Sequence, residues 1–358
     1  MLPKTFFQRE LKKWYDHHKR DLPWRKTNDP YLIWLSEIML QQTRVAQGLP
    51  YYHKFTERFS TISELALAED DEVMKLWEGL GYYSRARNML HAARFVHHKR
   101  EGVFPHTYQE IRELKGVGDY TAAAIASMAF GEAYAVVDGN VYRLLSRFLG
   151  IDTPVNSSAG KKEFAQAADE MLDCEDPATY NQAVMEFGAL QCIPRKPDCG
   201  HCVLRSGCEA YKTGRVEELP VKLRKKYDRK RYFHYLMIAS QDHVLVERRE
   251  GSDIWKHLFQ FPLIETQRPL EMEALLAEVG LPDGFEVREY TSLAPHKLSH
   301  QTIYIHVLKL NMASADGLAW KGGGQWVPKS DLETLAFPRP LRQFLDQNQL
   351  NLPFGPRA

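Results

Sequence analysis

Residues 114–122 have the sequence LKGVGDYTA, and this stretch decides the fold of the first half of the chain. Gly116 and Gly118 flank one apolar residue, a spacing that lets the backbone turn tightly with its N–H groups pointing outward. The small residues of 122–130 predict a helix directly after the turn. Glycine amides at the start of a helix bind anions, so the stretch predicts a hairpin between two helices that contacts a nucleic-acid phosphate.

The rest of the chain divides by its hydrophobic pattern into a helical part and a part with strands. Up to about residue 214, apolar residues recur at helical spacing, notably in 65–80, 89–96 and 164–172. After residue 231 the pattern is that of strands, over 232–239, 243–248, 285–291 and 302–310, with a short helix over 269–279. We therefore predict a mainly α region followed by a smaller α+β domain.

Composition indicates a soluble globular protein of two or three domains. The chain has 358 residues, of which 44% are hydrophobic and 26% charged. No apolar run is long enough to span a membrane, and the N-terminus lacks the apolar core of a signal peptide, so we expect a cytoplasmic, nucleoid-associated protein without a membrane partner. The net charge of +1 identifies no partner, so any basic surface must be local.

One such local run lies in the segment that joins the two parts. Its cationic residues are Lys222, Arg224, Lys225, Lys226, Arg229, Lys230 and Arg231. A solvated linker and a contact with a phosphate backbone are both compatible with this pattern, and the sequence leaves both open.

Four of the five cysteines are clustered, with the spacing C-x6-C-x2-C-x5-C. They are Cys192, Cys199, Cys202 and Cys208. Thiolates at these intervals can hold one iron–sulfur cluster. Structural zinc is the alternative, but such sites usually have two C-x2-C pairs and this run has one. Arg195, Lys196 and Arg205 lie in the same segment, so it also predicts a basic surface. Cys174 stands apart and is predicted to be an ordinary buried thiol.

Two carboxylates stand in unusual surroundings. Glu37 lies in residues 31–40, YLIWLSEIML, which are apolar on nearly all sides and predict a buried helix. Burial raises the pKa of a carboxyl group, which suits a general acid, although a structural hydrogen-bonding role is the alternative. Asp138 lies in residues 136–141, VVDGNV, where helix capping alone is the alternative. One neutral acid and one carboxylate are what hydrolysis of an N-glycosidic bond needs. Gln41, Gln42 and Thr43 follow the Glu37 helix and could contact base edges.

Together these motifs resemble the helix–hairpin–helix DNA glycosylases of the endonuclease III superfamily, and more closely the MutY family of adenine DNA glycosylases. Besides the hairpin and the cysteine run, the segments that carry the resemblance are 22–25 (LPWR), 36–43 (SEIMLQQT), 79–85 (GLGYYSR) and 137–141 (VDGNV). The resemblance extends over essentially the whole chain. It implies a mainly α N-terminal helix–hairpin–helix glycosylase region with an iron–sulfur cluster domain, plus a C-terminal α+β Nudix-like domain.

The resemblance also implies domain boundaries. Residues 1–216 would form the catalytic region, and 217–231 the basic linker. Within the catalytic region, a six-helix barrel would comprise about 29–135, and the cluster domain would comprise 1–28 and 136–216. Residues 232–358 would form the Nudix-like domain that recognises 8-oxoguanine.

The resemblance implies a role for each residue of the catalytic site. Glu37 would protonate adenine at N7 and activate water. Asp138 would stabilise the oxocarbenium-like species, supported by Asn140. Tyr120 occupies the position where bifunctional relatives carry a lysine nucleophile; a phenol cannot form a Schiff base, so hydrolysis without an efficient lyase step is expected.

Other residues would recognise the DNA. Arg25 and Gln182 would line the pocket for an extruded adenine. Gln42 and Tyr82 would enter the base stack near the lesion, whereas Tyr83 is predicted to pack in a core.

The C-terminal part resembles the Nudix fold at Trp255, Phe259, Phe261 and Pro262. Its glutamates in this region are Glu265, Glu271, Glu273 and Glu278, and they do not form the magnesium-binding pattern of active Nudix enzymes, so pyrophosphatase activity is not expected. The resemblance implies instead that residues 296–300, HKLSH, form a loop that recognises 8-oxoguanine. Leu298 replaces the usual aromatic residue there, and Ser299 and His300 would meet the lesion.

The predicted function is therefore a monomeric base-excision DNA glycosylase with one 4Fe–4S cluster. Its substrate would be double-stranded DNA with adenine opposite 8-oxoguanine or guanine. The alternatives are a bifunctional pyrimidine glycosylase and abasic-site lyase of the same superfamily, and a non-catalytic iron–sulfur electron carrier or DNA-binding module. Tyr120 and the additional C-terminal domain oppose the first, and the buried Glu37 together with the Asp138 loop opposes the second.

Overall fold

The structure, a computed structural model, describes residues 4–223, 229–279, 285–298, 300–314 and 323–348. The chain divides into two compact units. The first, here called the helical unit, comprises Met1–Leu67 and Asn88–Arg224. The second, here called the sheet unit, comprises Ala68–Arg87 and Lys225–Ala358.

Twelve of the described helices precede residue 223, as the helical spacing predicts. They are α1 (Lys4–His18), α2 (Pro30–Leu40), α3 (Val45–Arg58), α4 (Ile62–Leu67), α5 (Asp70–Leu76), α6 (Ser84–Lys99), α7 (Tyr108–Arg112), α8 (Asp119–Phe130), α9 (Gly139–Leu149), α10 (Ser158–Met171), α11 (Pro177–Leu190) and α12 (Glu209–Lys212). Single 3₁₀ turns lie at Pro23–Arg25 and Arg205–Gly207. The predicted helical stretch 65–80 is two helices, because a new helix begins after Glu69 with three acidic residues in its first turn, which favour a helix N-terminus.

A buried apolar cluster joins α1, α9, α10 and α11 in the helical unit. Phe7, Phe148, Phe164 and Phe187 are almost wholly inaccessible to solvent, and three of the clustered cysteines pack against the same core. The packing holds α11 beside α1 and α9, and these helices carry part of the site described below.

The predicted hairpin forms between α7 and α8. Gly116 has a positive φ of 86°, and a Cβ atom there would lie 2.8 Å from the Cβ of Asn88, so both the turn and the close packing require glycine. Gly118 is the N-cap of α8, and Leu114 and Val117 are buried beneath the turn. The amides at the start of α8 are thus presented by a rigid turn.

The sheet unit contains the strands predicted for the last third of the chain. The strands are β1 (Arg229–Ser240), β2 (His243–Arg248), β3 (Phe259–Gln260), β4 (Leu263–Thr266), β5 (Phe285–Ser292), β6 (His296–Lys297), β7 (Gln301–Met312) and β8 (Gln325–Pro328). The central strands follow the order β3-β2-β1-β7-β5, and β1 and β7 are parallel. Two helices, α13 (Met272–Val279) and α14 (Arg339–Asn348), complete the C-terminal part.

Residues 68–87 belong to the sheet unit, which the sequence did not predict. Glu78 accepts hydrogen bonds from the backbone N–H of Phe337 and from Arg342, both at 2.9 Å. Asp71 forms an ion pair with Arg248 at 3.0 Å. These interactions join residues that are far apart in sequence.

The structure describes the basic segment at 217–231 at both of its ends. Leu219 is buried, and the N–H of Val155 donates to the carbonyl of Val221 at 3.0 Å. β1 begins at Arg229, and the buried guanidinium of Arg231 pairs with Asp253 and Glu265, so Arg231 is committed to an ion-pair network rather than to an exposed basic surface. Arg224, Lys225 and Lys226 lie outside the described residues. The domain boundaries implied by the resemblance stay a prediction.

In the parts of the chain that the structure describes, no helix has both the length and the apolar character that crossing a membrane requires.

Candidate active site

A cavity of about 170 Å³ lies in the helical unit, between α2, α8, α11 and the turn after α1. Seven of the residues predicted from the sequence line it: Arg25, Glu37, Thr43, Tyr120, Asp138, Asn140 and Gln182. They come from segments separated by up to about 160 positions, and the fold brings them together.

Glu37 lies on the buried helix α2. Asp29 caps this helix by accepting from the N–H of Tyr31, Pro30 occupies its first turn, and most of its side chains are buried. Glu37 itself is only 6% exposed. Burial raises the pKa of its carboxyl group, a hydrogen bond from Tyr120 lowers it, Asp138 raises it and Arg25 lowers it; the pKa that results is about 7. Glu37 can therefore carry a proton at neutral pH.

Tyr120 lies in the first turn of α8, directly after the hairpin. Its hydroxyl lies 3.2 Å from the Sδ of Met185 and hydrogen-bonds with Glu37. Burial, followed by the charges of Glu37 and Asp138, raises the pKa of this phenol well above its ordinary value. Tyr120 is therefore a neutral hydrogen-bond donor in the cavity.

Asp138 caps α9 and also lines the cavity, so its capping role does not exclude the predicted catalytic one. Its Oδ1 accepts from the N–H groups of Asn140 and Val141 at 2.9 and 2.7 Å. Its Oδ2 accepts from Nδ2 of Asn140 at 2.8 Å. Burial raises the pKa of Asp138, and these hydrogen bonds oppose that increase because they favour the carboxylate.

The Asp138 site is connected to the cysteine segment by Arg143. Its Nη2 donates to Oδ1 of Asn140 at 2.9 Å, and its Nε donates to the carbonyl of Cys192 at 2.7 Å. One hydrogen-bond network thus connects Asp138, Asn140 and Arg143 with Cys192, the first of the clustered cysteines.

The opposite part of the cavity wall is formed by α11 and the turn after α1. The hydroxyl of Tyr15 donates to Oε1 of Gln182 at 2.7 Å, so the Gln182 amide presents its nitrogen as a donor. Arg25 and Arg20 both donate to the carboxylate of Glu186. Burial raises the pKa of Glu186, but the hydrogen bonds from the two arginines outweigh it and hold the pKa at about 2. This wall thus holds the Gln182 amide and two guanidinium groups in defined orientations at the cavity.

The four clustered cysteines line a second cavity, of about 30 Å³, whose walls are apolar except for Arg147, Gln191 and Asp198. Nη1 of Arg147 lies 3.4 Å from the Sγ of Cys192, and the Sγ of Cys208 lies 3.4 Å from the carbonyl oxygen of Arg147. Zinc bonds of about 2.3 Å would bring thiolates within roughly 4 Å of one another. Among the described residues, no three His, Cys, Asp or Glu side chains are grouped closely enough to hold one ion. These four thiols around one apolar space are the ligand set from which the sequence predicts an iron–sulfur cluster.

The remaining predicted residues of the helical unit lie outside the cavity. Nε2 of Gln41 lies 3.3 Å from the Thr121 hydroxyl and 3.5 Å from the carbonyl of Gly116, so Gln41 braces the hairpin. Gln42 is exposed and has a positive φ of 55°, a conformation that is costly for a residue other than glycine. Gly116 and Gly118 form the hairpin turn.

The predicted residues of the sheet unit are partly described. Tyr82 has a φ of 50° and is 48% exposed, whereas Tyr83 is buried, as predicted. Leu298 donates its N–H to the carbonyl of Gln301 at 2.8 Å, which closes the loop, and His300 is exposed. Ser299 lies outside the described residues.

The prediction for Cys174 was wrong, because this thiol is exposed. It follows the end of α10 in a loop, between the polar residues Asp173 and Glu175.

The sequence interpretation missed Glu186, Arg20 and Tyr15. Glu186 had a usable signal: it stands one turn after Gln182 in a largely apolar helix, the same kind of context that identified Glu37. Arg20 and Tyr15 had none, because their roles depend on partners more than 160 positions away.

Two protein families match the chain. The HhH-GPD superfamily of base excision DNA repair proteins matches residues 35–171, and the NUDIX domain matches residues 234–347. These matches agree with the helical unit that carries the hairpin and with the strands of the sheet unit, and they confirm the predicted helix–hairpin–helix glycosylase region and the Nudix-like domain.

Individual relatives extend the similarity over the whole chain. The adenine DNA glycosylase of Buchnera aphidicola subsp. Baizongia pistaciae is 31% identical over 352 residues, covering 96% of this chain and 97% of the relative. That of Rattus norvegicus is 44% identical over 228 residues, 60% of this chain and 44% of the rat protein. A solved structure of a thermostable thymine-DNA glycosylase has 30% identity and a TM-score of 0.55, covering 59% of this chain and 97% of that one.

Proposed function

The chain belongs to the adenine DNA glycosylase family, and on that premise we propose that it hydrolyses adenine from adenine:8-oxoguanine and adenine:guanine mispairs in double-stranded DNA. The observation that carries the proposal is the pairing, in one cavity, of the buried acid Glu37 with the hydrogen-bonded carboxylate of Asp138. A cavity of this size accepts a single base only after the base leaves the helical stack.

Hydrolysis then needs a proton on the leaving base. Glu37, whose carboxyl pKa is raised to about 7 by burial, donates it to adenine N7, which weakens the bond between N9 and C1′. Asp138 stabilises the positive charge that develops on the sugar. A water molecule deprotonated by the Glu37 carboxylate adds to C1′, so the products are free adenine and an abasic sugar. Tyr120 supports Glu37 as a hydrogen-bond donor and supplies no amine for a covalent intermediate.

Adenine would be recognised by the donors of the opposite wall. The Gln182 amide nitrogen, oriented by Tyr15, and the guanidinium of Arg25 both face ring nitrogens that accept hydrogen bonds. Gln42, Thr43 and the hairpin glycines would contact the DNA next to the flipped base. Tyr82, Ser299 and His300 would contact the opposite base, where 8-oxoguanine differs from guanine. The enzyme would act as a monomer on nucleoid DNA.

The clustered cysteines would hold one 4Fe–4S cluster. When bound, the cluster supplies structural cross-linking of residues 192–208 rather than a step of the hydrolysis. Arg143 and Arg147 contact this segment through the carbonyls of Cys192 and Ile193, so the cluster segment would also support the position of Asn140. The exposed basic residues of the segment would face phosphates.

The test is a panel of end-labelled duplexes under single-turnover conditions, analysed with and without hot alkali. The proposal expects adenine release opposite 8-oxoguanine and guanine, slower or no release opposite thymine, and strand breaks only after alkali. Duplexes with thymine opposite guanine or with an oxidised pyrimidine test the alternative activity. Cleavage of a pyrimidine duplex without alkali, with adenine left intact, would favour the bifunctional lyase.

A further inference from the structure

Glu186 is a buried carboxylate in the cavity wall that takes no part in the proposed steps of the hydrolysis. It is 1% exposed and lies on α11. Its Oε1 and Oε2 accept from Nη1 and Nη2 of Arg25 at 2.9 and 2.8 Å, a two-point contact that fixes the plane of the guanidinium. The same carboxylate accepts from the backbone N–H and the Nε of Arg20 at 2.9 and 2.8 Å.

Further contacts hold Arg25 on the same side. Its Nη1 donates to the carbonyl of Arg20 at 3.1 Å, and its guanidinium lies 5.5 Å from the ring centre of Tyr15. Arg25 also lines the cavity with Glu37, but it acts on Glu37 through its charge and not through a hydrogen bond. Arg25 is thus a cation beside the general acid Glu37, and its hydrogen bonds go to Glu186 and Arg20 instead of to Glu37.

These contacts restrain Arg25, because a guanidinium without them would form an ion pair with the Glu37 carboxylate. The charged or titratable groups among the described cavity-lining residues are Arg20, Arg25, Glu37, Tyr120, Asp138 and Glu186. Two of them are cations, and Glu186 is the anion that both cations contact. Without the Glu186 charge, the cavity would hold two uncompensated cations next to the acid, and each would favour its ionised form.

We propose that Glu186 is a positioning residue that holds Arg25 against α11, so that Arg25 can face the bound base while Glu37 keeps the proton it donates. This inference rests on the proposed function of the cavity. In this role Glu186 controls the protonation state of Glu37 and does not contact the reacting atoms.

The sign of the expected effect follows from the charges. Replacing Glu186 by Gln leaves the size of the side chain unchanged but removes its negative charge, so the pKa of Glu37 should fall, by about one unit for a cation within hydrogen-bonding range. The proton would then be lost at lower pH. Relative to wild type, Glu186→Gln should release adenine about tenfold more slowly at pH 8 and less than about twofold more slowly at pH 5.5. A purely structural defect would slow the reaction equally at both pH values.

The experiment measures single-turnover adenine release from an adenine:8-oxoguanine duplex between pH 5.5 and 8.5. The variants are Glu186→Gln, Arg25→Gln and the double variant. In the double variant one cation and one anion are removed, so the decline in rate at alkaline pH should return to the pH of wild type. Its absolute rate should stay low because Arg25 is missing. Asp173→Asn is the matched control: it removes a carboxylate paired with Lys12 at 2.5 Å, outside the cavity, and should leave the profile unchanged.

A second measurement does not depend on activity. ¹³C NMR of carboxyl-labelled glutamate, with the Glu37 signal assigned from Glu37→Gln, should show a lower titration midpoint for Glu37 in Glu186→Gln than in wild type. An unchanged midpoint, or a rate defect of equal size at all pH values, would overturn the role of Glu186. If wild type itself releases no adenine, the proposed function fails; the NMR midpoint still tests the charge coupling.

Discussion

Arg143 donates a hydrogen bond to Oδ1 of Asn140 at 2.9 Å, and this contact fixes which end of the Asn140 amide faces Asp138. Because the oxygen is occupied, the nitrogen is the end that donates to Asp138, at 2.8 Å. The carboxylate of Asp138 is therefore held by a side chain that is itself held by a residue bound to Cys192. The carboxylate of Asp138 is thus oriented through two successive hydrogen bonds.

Replacing Asn140 by Leu should slow adenine release by about tenfold, the cost of one hydrogen bond to a buried charge. The pKa of Asp138 should rise further, because a hydrogen bond that favours its ionised form is lost, so the acid limb of the pH–rate profile should move to higher pH. Single-turnover rates between pH 4.5 and 7 measure this. Duplex affinity, measured in parallel, should be unchanged; a defect confined to affinity would contradict this role.

A lysine at position 120 should convert hydrolysis into lyase chemistry. Tyr120 lines the same cavity as Asp138, so an amine there can attack C1′ in place of water and form a Schiff base with the opened sugar. Tyr120→Lys should break the strand without alkali and should be trapped on DNA by borohydride, whereas Tyr120→Phe should do neither. Absence of trapping in a folded Tyr120→Lys that still binds the duplex would show that position 120 does not reach the sugar.

Replacing one of the four clustered cysteines should remove the predicted iron–sulfur cluster, and replacing Cys174 should not. Cys202 packs against the core of the helical unit and lines the cavity of the four thiols. Cys202→Ser should therefore lower the iron and sulfide content of the purified protein and its thermal stability together. Cys174→Ser is the control, since this thiol is exposed. Zinc in place of iron and sulfide in wild-type protein would contradict the predicted cluster.

Glu37 should make the protein less stable as pH rises, which is separable from catalysis. Its folded pKa of about 7 lies above the ordinary value of 4.5, so the folded state binds more protons between these values and loses stability across that range. Glu37→Gln should therefore gain stability over wild type, by roughly 2 to 3 kcal/mol more at pH 8 than at pH 5. Urea unfolding at the two pH values measures this, and an equal difference at both would mean that Glu37 titrates normally.

The sequence was informative where one segment carries its own signal. The hairpin glycines, the buried helix around Glu37 and the capping aspartate at 138 were each predicted from adjacent residues, because turn geometry, amphipathicity and capping are local properties. The strands after residue 231 were predicted for the same reason.

Long-range pairing could not be predicted in this way. The parallel pairing of β1 with β7 joins residues about 70 positions apart, and residues 68–87 join the sheet unit through partners such as Arg248 and Arg342. Arg20 and Arg25 meet Glu186 across more than 160 positions. In each case the local sequence does not identify the distant segment that it contacts. Strand pairing and ion pairs depend on residues far along the chain and add no periodicity to the local pattern.

The role of Glu37 as the general acid is tested most directly by comparing wild type with Glu37→Gln in single-turnover release of adenine from an adenine:8-oxoguanine duplex. Wild type should release adenine at a rate that falls as pH rises through about 7, since Glu37 must be protonated. Glu37→Gln should lose at least about a thousandfold in rate with duplex binding retained. Glu37→Gln releasing adenine at nearly the wild-type rate, or wild-type protein with intact cysteine segment and fold releasing none, would contradict it.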